Sequence, residues 1–441
     1  MKSGNSKIDI ATAVIVSGFT ASVFFHYINA VYLKLPYPHN TFLFLPQVCF
    51  SDFWNVFTEV KNLNPYLGAK SSQYPFLLLI SYPFTLLPFQ DGTILLIYSI
   101  LFASFLTYFI SFHLPGRLQA ENGCNKARRV FVFSFMTYPF LFTIDRGNLE
   151  GAVLIFLLCF IYFFVRKRYL ASSLFLSAAI AAKMFPVVLL LLFFSERRYR
   201  EIIVAIAGAV VLTAAGLLLF RGGIAANAGY LVSGANFSGN AVFQDFLSPN
   251  NYVQRGVTLL TLLKILITKA DNALLSAASL FILKHYMSFA VLCSVIIGAF
   301  VAFVEKALWR RAALLVFAML LLPPISADYK LIHLFIPLLL FLADKEADRF
   351  DAYYAVMFGL LLIPKDYLML SGLRTETVLP SGETDLSIAV PLNILIMVFM
   401  TLLIMVRAAA RSSFRAIADT AAGHLRALGL SARPASKGEA L

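Results

Sequence analysis

An all-α polytopic membrane protein is the fold class this sequence predicts, and three observations predict it. Of its 441 residues, 60% are hydrophobic and only 13% charged, and mean hydropathy is +0.80, outside the range of soluble globular chains. Apolar runs at 8–32, 92–113, 149–165 and 386–406 reach or approach the roughly 20 residues that carry a helix across about 30 Å of hydrocarbon. Alternation with a period of two is absent, which excludes a barrel. The formal charge of +13 is spread in short basic clusters between the runs, so it reads as a topology signal and not as a nucleic-acid surface.

The first run follows Lys2 and Lys7 and has no small-residue cleavage site behind it, so it is predicted to be a retained membrane helix. The positive-inside rule places Lys2/Lys7, the stretch 117–129, Arg166/Lys167/Arg168, Arg197/Arg198/Arg200, Lys306/Arg310/Arg311, Lys345/Arg349 and the tail from Arg407 in the cytoplasm. Both termini are then inside, outer segments fall around Asp52, Arg146, Lys183, Gln254, His333 and Ser381, and roughly twelve crossings follow. In 169–197 and 312–345 one apolar run joins two cytoplasmic clusters, which a single crossing would not allow. Each is predicted to be a helical hairpin, turning at Ala182-Lys183-Met184-Phe185-Pro186 and at Pro323-Pro324-Ile325-Ser326-Ala327-Asp328-Tyr329-Lys330. Helices that short thin the membrane locally and sink the tips toward a cavity that water and a polar substrate can share.

Segment 74–89, with Pro75, Pro83 and Pro88, is predicted to be a re-entrant or short helix, and 257–267 is a second candidate; crossing is open for both. With no internal repeat of repeat-protein period and no Gly/Ser-rich linker, 1–406 reads as one membrane domain. Residues 407–441 read as a basic cytoplasmic tail, net +4 from six basic and two acidic residues. Phe414, Ile417, Leu425 and Leu428 space themselves along a helix suited to an anionic leaflet, and the end is expected to be disordered. Cys49, Cys124, Cys159 and Cys293 are scattered without metal-ligand spacing and are expected to be free thiols.

A charge at membrane depth costs about 2.5–3.5 kcal/mol on insertion scales, so charges on the outer tips are functional candidates. Asp52, in Phe50-Ser51-Asp52-Phe53-Trp54-Asn55, sits in an outer loop of about 40 residues, long for such a chain; it is either a working carboxylate or an interfacial helix cap. Lys183 interrupts an otherwise apolar run and is either a functional cation or a snorkelling lysine. In Asp145-Arg146-Gly147-Asn148-Leu149-Glu150, read as the opening of a helix, Asp145 suits a cap, whereas Arg146, Asn148 and Glu150 exceed what capping requires. An arginine fork there suits a phosphate. His333, close behind Asp328 and Tyr329, is a buried hydrogen-bonded histidine, a ligand or a proton carrier. Asn250, Asn251, Gln254 and Arg255 form a polar knot ending a second long outer loop, explained by loop polarity or by binding. The chain has no phosphate-binding Gly-rich loop, no His/Cys ligand set and no Gly-x-Ser-x-Gly elbow, so nucleotide-driven transport and serine hydrolysis lose support.

An early outer acidic residue, then Asn64-Pro65-Tyr66, Gln73-Tyr74-Pro75, Arg146-Gly147-Asn148, Ala182-Lys183-Met184-Phe185-Pro186 and a late histidine together resemble glycosyltransferase family 87. These are bacterial relatives of polyprenol-phosphate-mannose-dependent mannosyltransferases, in the GT-C class of membrane glycosyltransferases. The Arg-Gly-Asn-x-Glu and Lys-x-x-Pro pieces also look like the first mannosyltransferase of glycosylphosphatidylinositol synthesis. The resemblance implies inverting transfer of a hexose, most often mannose, from a polyprenyl-phosphate sugar to a hydroxyl at the periplasmic face of the inner membrane. It implies Asp52 as general base, Lys183, Arg146 and His333 on the donor phosphate, and Asn148, Glu150, Tyr74, Asn251, Gln254 and Asp328 on sugar or acceptor. The partners implied are the lipid-linked donor, a glycolipid or glycan acceptor and membrane lipids, with no nucleic acid and no cofactor; a divalent ion is left open. The rivals are a lipid-linked sugar flippase or transporter, whose signature is internal repeats, and a polysaccharide polymerase, distinguished by dependence on a diphosphate-linked oligosaccharide.

Overall fold

The computed structural model describes residues 3–43, 49–61, 63–66, 73–89, 91–113, 123–233, 255–269, 272–370, 386–411, 420 and 422–424. The chain is an all-α polytopic membrane protein, as its composition predicts. Helices are the default because a bilayer offers backbone N–H and C=O groups no other partner. Those long and apolar enough to cross a membrane cover Ser6–Tyr32, Gly92–Ser111, Tyr199–Leu219, Lys284–Phe303 and Ala389–Arg411. Strand pairing among the described residues is confined to a short antiparallel ladder, β1 (Met369–Leu370) with β2 (Leu386–Ser387), and an isolated bridge between Gly256 and Ala327.

In chain order, α1 (Ser3–Tyr27) runs on through a π turn at Ile28–Tyr32, and α2 is Ser51–Lys61. The proline-rich segment forms α3 (Pro75–Thr85), with Pro75 in the first turn, where its missing N–H costs nothing. Next come α4 (Asp91–His113), α5 (Gly123–Phe135), α6 (Tyr138–Arg146) and α7 (Glu150–Val165). Both predicted hairpins are present. In the first, α8 (Tyr169–Ala182) ends at Lys183, whose φ of −154° and ψ of 135° are extended, and the chain returns through a 3-10 turn at Phe185–Leu189 and α9 (Leu190–Ser195). Its return brings Phe193 against Phe164 and Tyr169, and the Arg198 guanidinium over the Tyr169 ring at 4.4 Å, so the two flanking basic loops are neighbours.

Helix α10 (Tyr199–Leu219) packs on α8 and α3, followed by α11 (Leu259–Lys269) and α12 (Asn272–Phe303). The second hairpin is α13 (Leu308–Leu321), a break at Pro323 and Pro324, a 3-10 turn at Asp328–Leu334 and α14 (Phe335–Ala343). Trp309 at its start meets Phe341 at its end, with centroids 5.0 Å apart, which makes the two arms antiparallel. Helices α15 (Asp351–Leu362) and α16 (Ala389–Arg411) complete the bundle, α15 lying along α1.

The basic clusters assigned to one side gather at one end of the bundle. Arg129 bonds Asp9 at 2.7 Å, and Lys7 reaches Asp351 at 3.1 Å. Arg311 reaches Glu196 at 2.8 Å, while Arg310 and Arg407 converge on Asp348. The first turn of α7 points the opposite way. At about 1.5 Å per residue, its 16 residues put the far end about 24 Å from the basic loops, short of the roughly 30 Å hydrocarbon core.

Candidate active site

Asp52 was expected in a loop; it stands instead in the first turn of α2. Phe53, Val56, Phe57 and Val60, spaced at i, i+3, i+4 and i+7, bury one face of this short helix, so Asp52 is carried on a rigid element. The backbone N–H of Phe50 donates to the Asp145 carbonyl at 2.7 Å, and the Cys49 thiol donates to the same oxygen at 3.3 Å, which ties the entry of α2 to the end of α6.

The Asp145 to Glu150 segment also differs from its reading as a helix opening. Asp145 and Arg146 close α6, and Gly147 terminates it in the left-handed region at φ 59°, ψ 30°. A helix end has free carbonyls and not free N–H groups, so Asp145 does not cap the next helix. Asn148 takes that place, its Oδ1 accepting the N–H of Glu150 at 2.9 Å. Gly147 is required twice over: its φ is positive, and a Cβ there would lie 2.7 Å from the Cβ of Phe53.

The tight turn delivers two donors to one carboxylate. Arg146 Nη2 donates to Asp52 Oδ1 at 2.6 Å and Nε approaches Oδ2 at 3.4 Å, while Asn148 Nδ2 donates to Oδ2 at 2.6 Å. Two residues on, the fully buried Glu150 receives Lys183 Nζ on Oε1 at 2.7 Å and His333 Nε2 on Oε2 at 2.9 Å. The two hairpin tips therefore meet at the start of α7. Lys183 also stands 5.7 Å from the Tyr329 ring centroid, a cation–π distance.

Between these groups opens a cavity of about 340 Å³, lined by Asp52, Asn55, Val56, Gln73, Leu77, Arg146, Asn148, Leu149, Lys183 and Tyr329, in the range of small-molecule sites. Of the residues singled out from the sequence, Asp52, Arg146, Asn148 and Lys183 share its wall. Glu150 and His333 sit behind Lys183, both without exposed side-chain surface. Tyr74, the residue before α3, lies beside the Met184 backbone. Asp328 is elsewhere: its Oδ2 accepts from the Tyr138 hydroxyl at 2.7 Å, and Arg255 bridges that hydroxyl, Asp366 and the carbonyls of Phe42 and Leu43. Asn251 and Gln254 lie outside the described residues.

Asn55, Gln73 and Tyr329 are the polar wall residues not singled out from the sequence as site residues, beside the apolar Val56, Leu77 and Leu149. Asn55 falls one turn after Asp52 on an amphipathic helix, and that periodicity was the signal available. Among the described residues no three His, Cys, Asp or Glu side chains cluster as metal ligands. Cys49, Cys159 and Cys293 are free thiols.

No curated protein and no solved structure matches the chain. The family model described as glycosyltransferase family 87 matches residues 74–324, more than half of the 441. The matched segment contains the Arg146 turn, Glu150 and Lys183 and begins downstream of Asp52. A polar cavity to which that segment contributes Arg146, Asn148 and Lys183, within a polytopic helical bundle, is in keeping with the match, and the chain belongs to glycosyltransferase family 87, a family of enzymes that transfer sugars.

Proposed function

We propose that the enzyme transfers a hexose, mannose first among them, from a polyprenyl-phosphate donor to a hydroxyl acceptor with inversion, at the periplasmic side of the inner membrane. The observation that carries this reading is a cavity, at the end of the bundle away from the basic loops, whose wall among the described residues bears one carboxylate, Asp52, together with two cations, Arg146 and Lys183. The position suits a lipid-linked donor, whose tail stays among apolar helices while its phosphate enters the polar cavity. The positive-inside rule favours the cytoplasm for the end that carries the basic loops, which supports this orientation.

In the reaction the acceptor oxygen bonds to the anomeric carbon as its proton passes to Asp52. The bond from that carbon to the phosphate oxygen breaks on the opposite face, and its electron pair leaves with the polyprenyl phosphate. Lys183 and Arg146 offset the negative charge that grows on the departing group. Arg146 holds Asp52 at the cavity wall. A donor phosphate competes for that guanidinium, and Asp52, still oriented by Asn148, is left to the acceptor hydroxyl. Asn55, Gln73 and Tyr329 are placed to bond sugar hydroxyls.

The test is transfer of labelled hexose from synthetic polyprenyl-phosphate mannose and, in parallel, polyprenyl-phosphate glucose. Loss of a general base lowers rates by about 10²–10⁴-fold, so Asp52→Asn should transfer at a rate lower by that factor. An Asp52→Asn enzyme with full activity removes the assignment; a folded wild type that uses neither donor across varied acceptors turns the reading toward a flippase or polymerase.

A further inference from the structure

Glu150 is the most deeply buried charge near the cavity and touches none of its open volume, its side chain having no exposed surface. A carboxylate so placed is costly unless both oxygens are bonded, and here each has one partner, from a different hairpin: Lys183 on Oε1 and His333 on Oε2. Accepting from His333 assigns the ring proton to Nε2, and His333 Nδ1, buried and without a hydrogen-bond partner, makes Glu150 the ring's polar anchor. Phe185, from the first hairpin, packs edge-on against the same ring at 5.3 Å. Lys183 differs from its partners in keeping 16% of its side chain exposed and lining the cavity.

Glu150 is also joined to the carboxylate on the other side. Its N–H donates to Asn148 Oδ1, and Asn148 Nδ2 donates to Asp52. Three consecutive residues thus set the spacing between Asp52 and the Lys183 ammonium.

We infer that Glu150 is a positioning residue: braced by His333, it holds the Lys183 ammonium at the cavity wall, aimed at the phosphate of the donor, and itself touches neither sugar nor acceptor. The inference rests on the donor reading above and replaces the sugar-binding role that the family resemblance implies for Glu150.

The test is a double-mutant cycle of Glu150→Gln and Lys183→Met in transfer assays that vary donor and acceptor separately. Glu150→Gln keeps the side-chain shape and loses the charge. Losing a charge-assisted contact predicts a donor KM raised about tenfold to a hundredfold, with acceptor KM unchanged. In the Lys183→Met background the same substitution should add less than about twofold, because coupled residues do not contribute independently. Should Glu150→Gln not fold, His333→Gln gives the same donor-selective rise with smaller amplitude. A kcat loss that only tracks a shrinking folded fraction, measured on the same preparations, with both KM values unchanged, overturns the inference. So do losses that multiply in the Lys183→Met background. Either result in an enzyme whose wild type transfers hexose leaves the donor reading standing, whereas a wild type inactive with every polyprenyl-phosphate donor overturns both.

Discussion

Gly147 concentrates the chemistry of the site into one backbone conformation. Its left-handed φ turns the chain between α6 and α7 so that Arg146 and Asn148 face the same carboxylate, and the missing Cβ lets Phe53 approach. A Gly147→Ala change puts an L-residue where it costs about 1–2 kcal/mol and adds the clash with Phe53, so α2 must move and Asp52 with it. We expect a lower melting temperature in detergent together with lower transfer; a normal melting curve with normal turnover would show that the turn is not under this constraint. The Arg146-Gly147-Asn148 string was visible in the sequence as a cluster of costly polar residues. That it ends one helix before the next begins was not, because Asp and Asn read as start signals and the glycine that stops α6 needs only one position to do so.

At the scale of elements, the two hairpins were legible because charge and length conflicted: each run linked two basic clusters and carried proline with polar residues midway. Helix α2 was not read, although Phe53, Val56, Phe57 and Val60 have helical spacing; an 11-residue helix is marginal by itself and takes its stability from the face it buries. The far end of α16 shows the same dependence on partners. Arg407 bonds both oxygens of Asp348 at 2.6 Å, and Arg310 adds a contact at 2.9 Å. Burial alone would raise the Asp348 carboxyl, but the Arg407 bonds, the Phe350 N–H and the charge of Arg310 outweigh it and hold the carboxyl below its usual range. A lowered native value means that its stabilisation is complete above the ordinary carboxylate pKa, near about 4, and drains away as pH falls through the lower native value. Asp348→Asn should therefore lower stability by about 2 kcal/mol at neutral pH, the size of a charge-assisted contact. It should also flatten the acid limb of the melting profile; an unchanged acid limb would place that dependence on other carboxylates.

For the whole molecule, the ion-pair network that links Lys7, Arg129, Arg310, Arg311 and Arg407 to acidic partners gathers loops that are hundreds of residues apart in sequence. Its position opposite the cavity predicts a labelling pattern. In a variant lacking Cys49, Cys124, Cys159 and Cys293, Asn55→Cys on the cavity side should react with a membrane-impermeant maleimide in intact spheroplasts. Lys167→Cys, in an exposed basic loop, should react only after permeabilisation. Labelling of both from one side would contradict a cavity and basic loops on opposite faces.

The fold class was determined by the sequence itself, since hydropathy acts through the bilayer, a solvent common to all such chains. The family was legible too, from short motifs in a fixed order. What only the tertiary structure decided is which polar groups meet. Lys183, Glu150 and His333 are far apart in sequence, and each alone reads as a ligand. Once the hairpin tips converge, two of them become the buried support of the third, and Asp328, one residue from Tyr329 on the cavity wall, turns instead to Tyr138 and the Arg255 network. The physical reason is that burying a charge is tolerable only with a partner, and partners are assigned by packing in three dimensions, which sequence spacing does not record.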